Sequence, residues 1–259
     1  MFYNNIDPVL FRLWNFEIRY YGLFFVIGFI ITYLLVYHLA KARHLKLTKE
    51  DASDFIFYIA VGIVSGARIF YVLFYNIKLY LASPFEIIAL WHGGLSFHGG
   101  LIGAGIAVYF FCRKKDLEFY DLADIIVIPT AIGLSLGRIG NFINGELYGR
   151  VTDVPWAVKF RDAEGFRHPS QLYESLKNLL IFAVLWAIKG KKLPKGFLFW
   201  SFVMMYSILR FIIEFFREPD SQIGFIYGIT IGQILSIVMF TVGAAFMLRI
   251  HKVKIWNAG

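Results

Sequence analysis

Cysteine occurs once in the 259 residues, at Cys112. One thiol excludes an intrachain disulfide framework and any cluster of thiolate metal ligands. Its neighbours, AVYFF before and RKK after, predict a packing residue at the inner end of an apolar span rather than a nucleophile. Acidic residues are scarce too, 18 Asp and Glu against 26 Lys and Arg, which leaves a formal charge of +8. In an apolar chain this excess predicts contact with membrane lipid and no nucleic-acid partner, because basic residues beside spans face anionic headgroups and set topology. The chain lacks the GxxxxGK[ST] phosphate loop and the HExxH zinc pattern. Its histidines, His38, His44, His92, His98, His168 and His251, are dispersed with no carboxylate cluster beside them. Neither a nucleoside triphosphate, a metal nor another cofactor is expected. No basic region followed by a short apolar core and a small-residue cleavage site opens the chain, so no removable signal peptide is expected.

What is abundant is apolar bulk. Hydrophobic residues make up 58% of the chain, with 28 Phe and 15 Tyr, more than a soluble domain of this size normally carries. Seven segments approach the roughly 20 residues that cross a hydrocarbon core: Tyr20 to Ala40, Asp54 to Tyr75, Gly94 to Cys112, Leu122 to Ile139, Leu172 to Ile188, Phe197 to Phe216, and Phe225 to Arg249. The fourth and fifth are short, and the fourth contains Pro129. Pro84 and the glycines of WHGGLSFHGG suggest that the chain between the second and third spans partly re-enters the interface. Basic groups follow spans one (Lys41, Arg43, Lys46, Lys49), three (Arg113, Lys114, Lys115), five (Lys189, Lys191, Lys192, Lys195) and seven (Arg249, Lys252, Lys254). The basic side is cytoplasmic. The expected fold is therefore an all-α polytopic membrane protein of about seven transmembrane helices, N-terminus outside and C-terminus inside. It forms one integral membrane domain over 1–259, with a small external head subdomain over 141–170 between spans four and five. Within that head, WAVKF reads as a short strand and GRVTDVP as a turn-rich approach to it.

This orientation gathers scattered polar residues on one side. Tyr20, Tyr21 and His98 fall at the outer ends of inward-running spans, and Arg68, Arg138, Arg210 and Glu214 in the outer halves of outward-running ones. Charges inside spans are costly unless paired or hydrated, so a single polar cavity open to the outer leaflet accounts for them together. Arg210 and Glu214 share a helix face, with Tyr206 one turn before and Arg217 about one turn after; a structural ion pair between helices reads equally well. Arg68 sits beside small residues that permit close helix approach, which favours a structural role. His98 is open to a packing role or to carrying a proton near neutral pH.

The stretch GLSLGRIGNFINGELYGR, from Gly133 to Arg150, is denser. Its glycines are too many for an undisturbed helix and suit turns or close approach to a ligand. Arg138 and Arg150 can each fork onto phosphate oxygens, Asn141 and Asn144 can hold an ester carbonyl or glycerol hydroxyl, and Glu146 can orient an arginine or accept a proton. Read this far, the chain is a membrane enzyme or transporter acting on an anionic lipid. Against alternating access, the polar residues cluster toward one leaflet rather than the midplane, and inverted repeats are not evident.

GRIGNFINGELYGR, from Gly137, resembles the signature of the bacterial phosphatidylglycerol:prolipoprotein diacylglyceryl transferase family. RYYGLFFVIGF from Arg19, GGLSFHGG from Gly93, HPSQLYE from His168 and RFIIEFFREPD from Arg210 resemble its other recurrent segments in order. The resemblance implies an enzyme of the bacterial inner membrane. It transfers the diacylglyceryl group of phosphatidylglycerol to the lipobox cysteine of a preprolipoprotein and releases glycerol 1-phosphate. It also implies functional roles for Tyr21, His98, Arg138, Asn141, Arg210 and Glu214, with Glu146, Gly149, Tyr206 and Arg217 in or near the site. The expected division of labour puts Arg138 and Arg210 beside the phosphate, Glu214 orienting Arg210, and His98 relaying the thiol proton. In the competing reading the arginines alone favour thiolate and His98 positions lipid. Tyr21, Arg68, Asn141 and Asn144 are expected to hold headgroup or glycerol. Oligomeric state is not legible.

Overall fold

The computed structural model describes residues 1–14, 16–75, 77–219, 225–226 and 228–256, without the side chains of 16, 226 and 251–256. Asp220 of RFIIEFFREPD, Tyr227 within the seventh expected span, and the side chains of His251, Lys252 and Lys254 lie outside the described residues. Three short strands open the chain, β1 (Phe2–Asn4), β2 (Val9–Leu13) and β3 (Phe16–Arg19). Then come helices α1 (Tyr20–Ala42), α2 (Lys49–Phe74) and α3 (Ile77–Ala82), 3-10 turns at Pro84–Ile87 and Leu90–His92, and helices α4 (Phe97–Lys115) and α5 (Phe119–Asn144). The chain continues through β4 (Val158–Phe160), α6 (Ser170–Ile188), α7 (Phe197–Ile213), the pair β5 (Phe225–Ile226) and β6 (Ile229–Thr230), and α8 (Ile231–Trp256). The fold is mostly helical and polytopic: α1, α2, α5 and α8 are long and apolar enough to cross a membrane, and α7 is a shorter apolar helix.

Element ends depart from the hydropathy boundaries where polar caps set them. Helix α2 begins at Lys49 rather than Asp54, because Thr48 and Asp51 form a capping box: the Thr48 hydroxyl accepts from Asp51 N at 3.1 Å and Asp51 Oδ2 accepts from Thr48 N at 2.8 Å. Helix α4 begins at Phe97 rather than Gly94, after an N-cap at Ser96. The sixth expected span ends early, at Ile213, and the seventh starts late, at Ile231. The largest correction is α5, which runs unbroken through Pro129, Gly133, Gly137 and Gly140 to Asn144. An isolated glycine costs a helix only about 1 kcal/mol, and burial against neighbours outweighs it. A Cβ on Gly140 would stand 2.7 Å from the Tyr21 ring, and one on Gly28 of α1 would stand 3.6 Å from Gly133 Cα. Asn141 to Asn144 thus belong to a helix rather than to the head.

The all-α expectation, which allowed one short strand at WAVKF, is extended by further strands. β1 pairs in parallel with β4, Phe2 opposite Val158 and Asn4 opposite Phe160, while β2 and β3 form an antiparallel pair, as do β5 and β6. Strand β4 falls inside the segment WAVKF. Phe160 is wholly buried with Val158 and Ala163, and Phe142 and Tyr148 pack on them. Asn4 Nδ2 donates to the Phe142 carbonyl at 2.6 Å, fixing the N-terminal strand to the end of α5.

The chain divides into two compact units, 1–35 with 124–259, and 36–123. In the first, buried Asp124 of α5 accepts from Gly196 N at 3.0 Å and Phe199 N at 2.9 Å. A carboxylate is thereby placed at the positive end of α7. Trp200 of α7 stacks on Phe246 of α8 at 4.4 Å.

In the second unit α2 and α4 meet along glycines, Gly62 and Gly66 on one helix and Gly99 and Gly103 on the other. A Cβ at Gly62 would lie 2.6 Å from the Gly103 carbonyl oxygen and 2.7 Å from Ala107 Cβ. Small residues four apart on both helices let the backbones touch. Phe55 and Phe111 close the core edge to face at 5.2 Å, and buried Cys112 packs within α4.

Overpacking a tight contact costs about 1–3 kcal/mol. Gly62→Ala is therefore expected to lower the thermal midpoint in detergent. Gly105→Ala, on the same helix pair but with nothing within 4 Å of its Cβ, is expected to hold or raise it. Equal midpoints for the two variants would refute the packing account.

Candidate functional site

In the first unit the C-terminal ends of α5 and α7 and the N-terminal ends of α1, α6 and α8 bring polar side chains together. Helices running in alternate directions make residues far apart in sequence share one end of the bundle. Arg210 lies at its centre. Its Nη1 donates to Glu174 Oε1, and its Nη2 stands 2.6 Å from Glu214 Oε2, so one guanidinium is held between two carboxylates. Glu174 Oε2 also accepts from Lys177 Nζ at 2.6 Å and lies 3.9 Å from Arg138 Nε. Glu174 and Lys177 are almost sealed, with side chains 2% and 1% exposed, whereas Arg138 and Arg210 keep 19% and 16% exposure, enough to reach a ligand. Lys177 also sits 3.8 Å from the centroid of the Tyr206 ring.

Glu214 has a second tether. Thr230 Oγ1 donates to its Oε1 at 3.0 Å, and a Cβ on Gly232 would lie 2.6 Å from that same oxygen. The carboxylate thus rests on the first turn of α8, where the helix dipole favours negative charge. Only a glycine leaves it room.

Arg138 and Asn141, one turn apart on α5, contact each other at 3.4 Å. Asn141 Nδ2 donates to Glu146 Oε1 at 2.8 Å and Asn144 Nδ2 to the same oxygen at 3.1 Å. Tyr21 faces Asn141, Glu146 and Arg138. The turn after α5 puts Gly145 at φ 72° and Leu147 at φ 57°. The left-handed region is strained for a branched side chain like Leu147. Gln171 Nε2 donating to the Glu146 carbonyl at 2.7 Å and Ser170 Oγ donating to the Leu147 carbonyl at 3.1 Å hold this turn on α6.

Gly149 is a close-approach position: a Cβ would stand 2.7 Å from His168 Cβ and would meet the Phe216 carbonyl. Gly149 N donates to the His168 carbonyl and Arg150 N to that of Phe216, both at 2.9 Å, so three chain segments cross here. Burial pushes the His168 imidazole below its ordinary value. Arg150 donates through Nε to the Arg217 carbonyl at 2.9 Å and lies 5.3 Å from the Phe225 ring centroid, which gives it a structural attachment.

Arg217 feels the charges of Arg210 and Arg138. Burial first, and then those two cations, lower its guanidinium below the ordinary value. Among the described residues it makes no ion pair. Arg138, Lys177, Arg210 and Arg217 face the carboxylates of Glu146, Glu174 and Glu214, which leaves one positive charge in excess. A single anion placed among the arginines would balance it. An apolar cavity of about 480 Å³, lined by Met1, Phe142, Trp156, Leu172 and Tyr173 among others, has none of these charged groups in its wall.

Arg68 and His98 belong to the second unit. Arg68 is buried and turned inward. Its Nε donates to the Ile87 carbonyl at 2.9 Å, its Nη1 to those of Gly94 at 3.0 Å and Gly93, and its Nη2 to those of Ala89 at 3.2 Å and Glu86. A guanidinium has five N–H groups, and five carbonyls take them. The expected contact with substrate thus gives way to a structural one, which orders the segment between α3 and α4. His98 lies in the first turn of α4 rather than in a loop; its exposed ring meets Phe97 edge to face and, among the described residues, makes no hydrogen bond.

Sequence reasoning missed the roles of Glu174, Lys177 and Gln171. Gln171, Glu174, Ser175 and Asn178 lie three or four residues apart, all buried, and give α6 a polar inner face. Ser175 Oγ meets Ser135 Oγ of α5 at 2.7 Å. The available signal was a glutamate and a lysine three positions apart inside an expected membrane span.

The prolipoprotein diacylglyceryl transferase family matches residues 8–249. The phosphatidylglycerol–prolipoprotein diacylglyceryl transferase of Geobacter sulfurreducens is 46% identical over 258 residues, which cover 98% of this chain and 99% of that protein. Similar proteins of the same description are 44% identical in Legionella pneumophila, over 93% of this chain and 96% of that one, and 46% identical in Bordetella parapertussis, over 95% and 96%.

Each hydrogen bond from a charged donor is worth about 1.5–3 kcal/mol, and lysine offers three donors where Arg68 uses five. Arg68→Lys is expected to speed amide hydrogen exchange across residues 84–94 by about tenfold or more. Unchanged exchange there would mean that the guanidinium does not order the segment.

Proposed function

Since the chain belongs to the prolipoprotein diacylglyceryl transferase family, we propose that its arginine cluster holds the phosphate of phosphatidylglycerol while the diacylglyceryl group passes to a cysteine thiol. It is a multi-pass enzyme of the bacterial inner membrane. It transfers the sn-1,2-diacylglyceryl group from phosphatidylglycerol to the lipobox cysteine of a preprolipoprotein, the first step of bacterial lipoprotein maturation. The thiol sulfur bonds to the glycerol carbon that carries the phosphodiester oxygen. That carbon–oxygen bond breaks, and its electron pair leaves with glycerol 1-phosphate. The thiol gives up its proton, and the leaving phosphate gains negative charge.

Both demands fall on named groups. The single excess positive charge of Arg138, Lys177, Arg210 and Arg217 over Glu146, Glu174 and Glu214 carries the reading, because a lipid phosphodiester has one negative charge to match it and the product has more. Preorganised cations beside a developing charge act strongly where water is excluded. Arg138, partly exposed and, among the described residues, engaged only by long contacts of 3.4 and 3.9 Å, is the arginine freest to turn both prongs on the phosphate. Arg210 supports it from a fixed position, oriented by Glu214. Tyr21, Asn141 and Asn144, organised by Glu146, hold the glycerol headgroup, and Gly149, Tyr206 and Arg217 shape the wall. His98 takes or relays the thiol proton, a role suited to an exposed ring without a hydrogen-bond partner among the described residues. Cys112, buried and far along α4, has no part, since the nucleophilic cysteine belongs to the acceptor.

About seven spans, with the N-terminus outside and the C-terminus inside, account for the basic groups in or just after the last turns of α1, α4, α6 and α8. The site then opens toward the outer leaflet, and the segment from Gly145 to Pro169 forms an external head within a single membrane domain.

Purified protein in phosphatidylglycerol micelles with a lipobox peptide is expected to add a diacylglyceryl mass to the cysteine and release glycerol phosphate, and to do neither when that cysteine is serine. Arg138→Gln is expected to lower kcat by ~100-fold. Full turnover by this variant would remove Arg138 from the phosphate site. For topology, Cys112→Ala with a cysteine placed at Asp162 is expected to react with an impermeant thiol reagent from outside the cell, and one placed at Lys41 is not. The reverse pattern would invert the orientation.

A further inference from the structure

The arginines proposed to hold phosphate come from α5 and α7, yet the carboxylate that binds one and faces the other comes from α6. Glu174 Oε1 accepts from Arg210, and its Oε2 takes Lys177 at 2.6 Å and faces Arg138 Nε at 3.9 Å. With its side chain 2% exposed, Glu174 is too deep to reach substrate itself. Lys177 is deeper still, at 1%, and lies against the Tyr206 ring.

Such a pair is a poor device for stability. Burying two charges generally gains no more than a well-packed apolar pair of similar volume would, while losing one partner is expensive. Directional control is what two apolar residues cannot supply. A carboxylate offers about four acceptor positions in one plane, and here they serve Arg210 of α7 and Lys177 of the same helix, with the Arg138 guanidinium of α5 3.9 Å away. With Glu214 at its opposite prong, 2.6 Å away, Arg210 is fixed at two points and its plane is set.

Building on the assignment of Arg138 and Arg210 to the phosphate, we propose that Glu174 is a positioning residue of the transfer reaction, aiming both arginines from behind, with Lys177 as the countercharge that lets a carboxylate occupy that buried place. Glu174 then acts entirely through the arginines. Lys177 acts through Glu174.

The test separates positioning from charge neutralisation. Glu174→Gln alone strands Lys177, so it is paired with Lys177→Met, which removes both charges together. The double variant is expected to stay monodisperse in detergent and to keep its KM for the lipobox peptide, while its kcat with phosphatidylglycerol falls by ~100-fold, the loss that a misplacement of about 1 Å can cause. Glu174→Asp, which keeps the charge but shortens the reach, is expected to fall between this and the unaltered enzyme. It supplies the measurement if the double variant does not fold. On an Arg138→Gln, Arg210→Gln background, removing the Glu174 and Lys177 charges is expected to cost little more. Recovery of full kcat in the double variant after loss in Glu174→Gln alone would overturn the proposal, because Glu174 would then only neutralise Lys177. A full Glu174→Asp rate would overturn it as well, since geometry would then not matter. So would an undiminished effect on the double-arginine background. If the arginine variants themselves turn over normally, the phosphate assignment fails, and that result is read separately.

Discussion

The site depends on a guanidinium clamped between two carboxylates. Arg210 reaches Glu174 on α6 with one prong and Glu214 at the end of α7 with the other. Each carboxylate has a further attachment: Glu174 to Lys177 and toward Arg138, and Glu214 to Thr230 and the glycine-lined first turn of α8. The contacts join α5, α6, α7 and α8 through charged groups that would each be costly alone in an apolar surrounding. Removing one member leaves the others unpaired, and the loss of one partner of a buried pair is worth about 3–5 kcal/mol. The network therefore cements this end of the bundle.

The arrangement also explains why several arginines can share so small a volume. Arg138, Arg210 and Arg217 would repel one another, and only the carboxylates between and behind them make the cluster tolerable. Neutralisation is incomplete by one charge. That shortfall leaves the arginines less than fully paired.

Much of the architecture could be read before any coordinates. The long apolar helices lie close to where hydropathy put them, and Tyr21, Arg138, Asn141, Arg210 and Glu214 do converge in one unit. The failures have specific causes. Hydropathy averages over about 19 residues, so it passed over Glu174 and Lys177 within α6 and gave α2 a start five residues late, where a capping box decides the end. Glycine counting broke α5 too early, because local propensity is weak beside tertiary packing. The strand β1 pairs with β4 more than 150 residues away, a contact that no local pattern encodes. Arg68 was suspected of a structural role for its small neighbours, but nothing local announces that five carbonyls converge on it.

The glycine contact between α2 and α4 has a mechanical meaning. Where two backbones touch, neither helix can slide or roll without collision, so the pair behaves as one strut. Arg68 on α2 ties the segment entering α4 to the same strut, and His98 stands on its end. The imidazole is consequently mounted on the close-packed helix pair instead of on a loop. Moving the ring beyond its own side-chain rotations would require displacing α2, α4 and the segment that Arg68 ties to them.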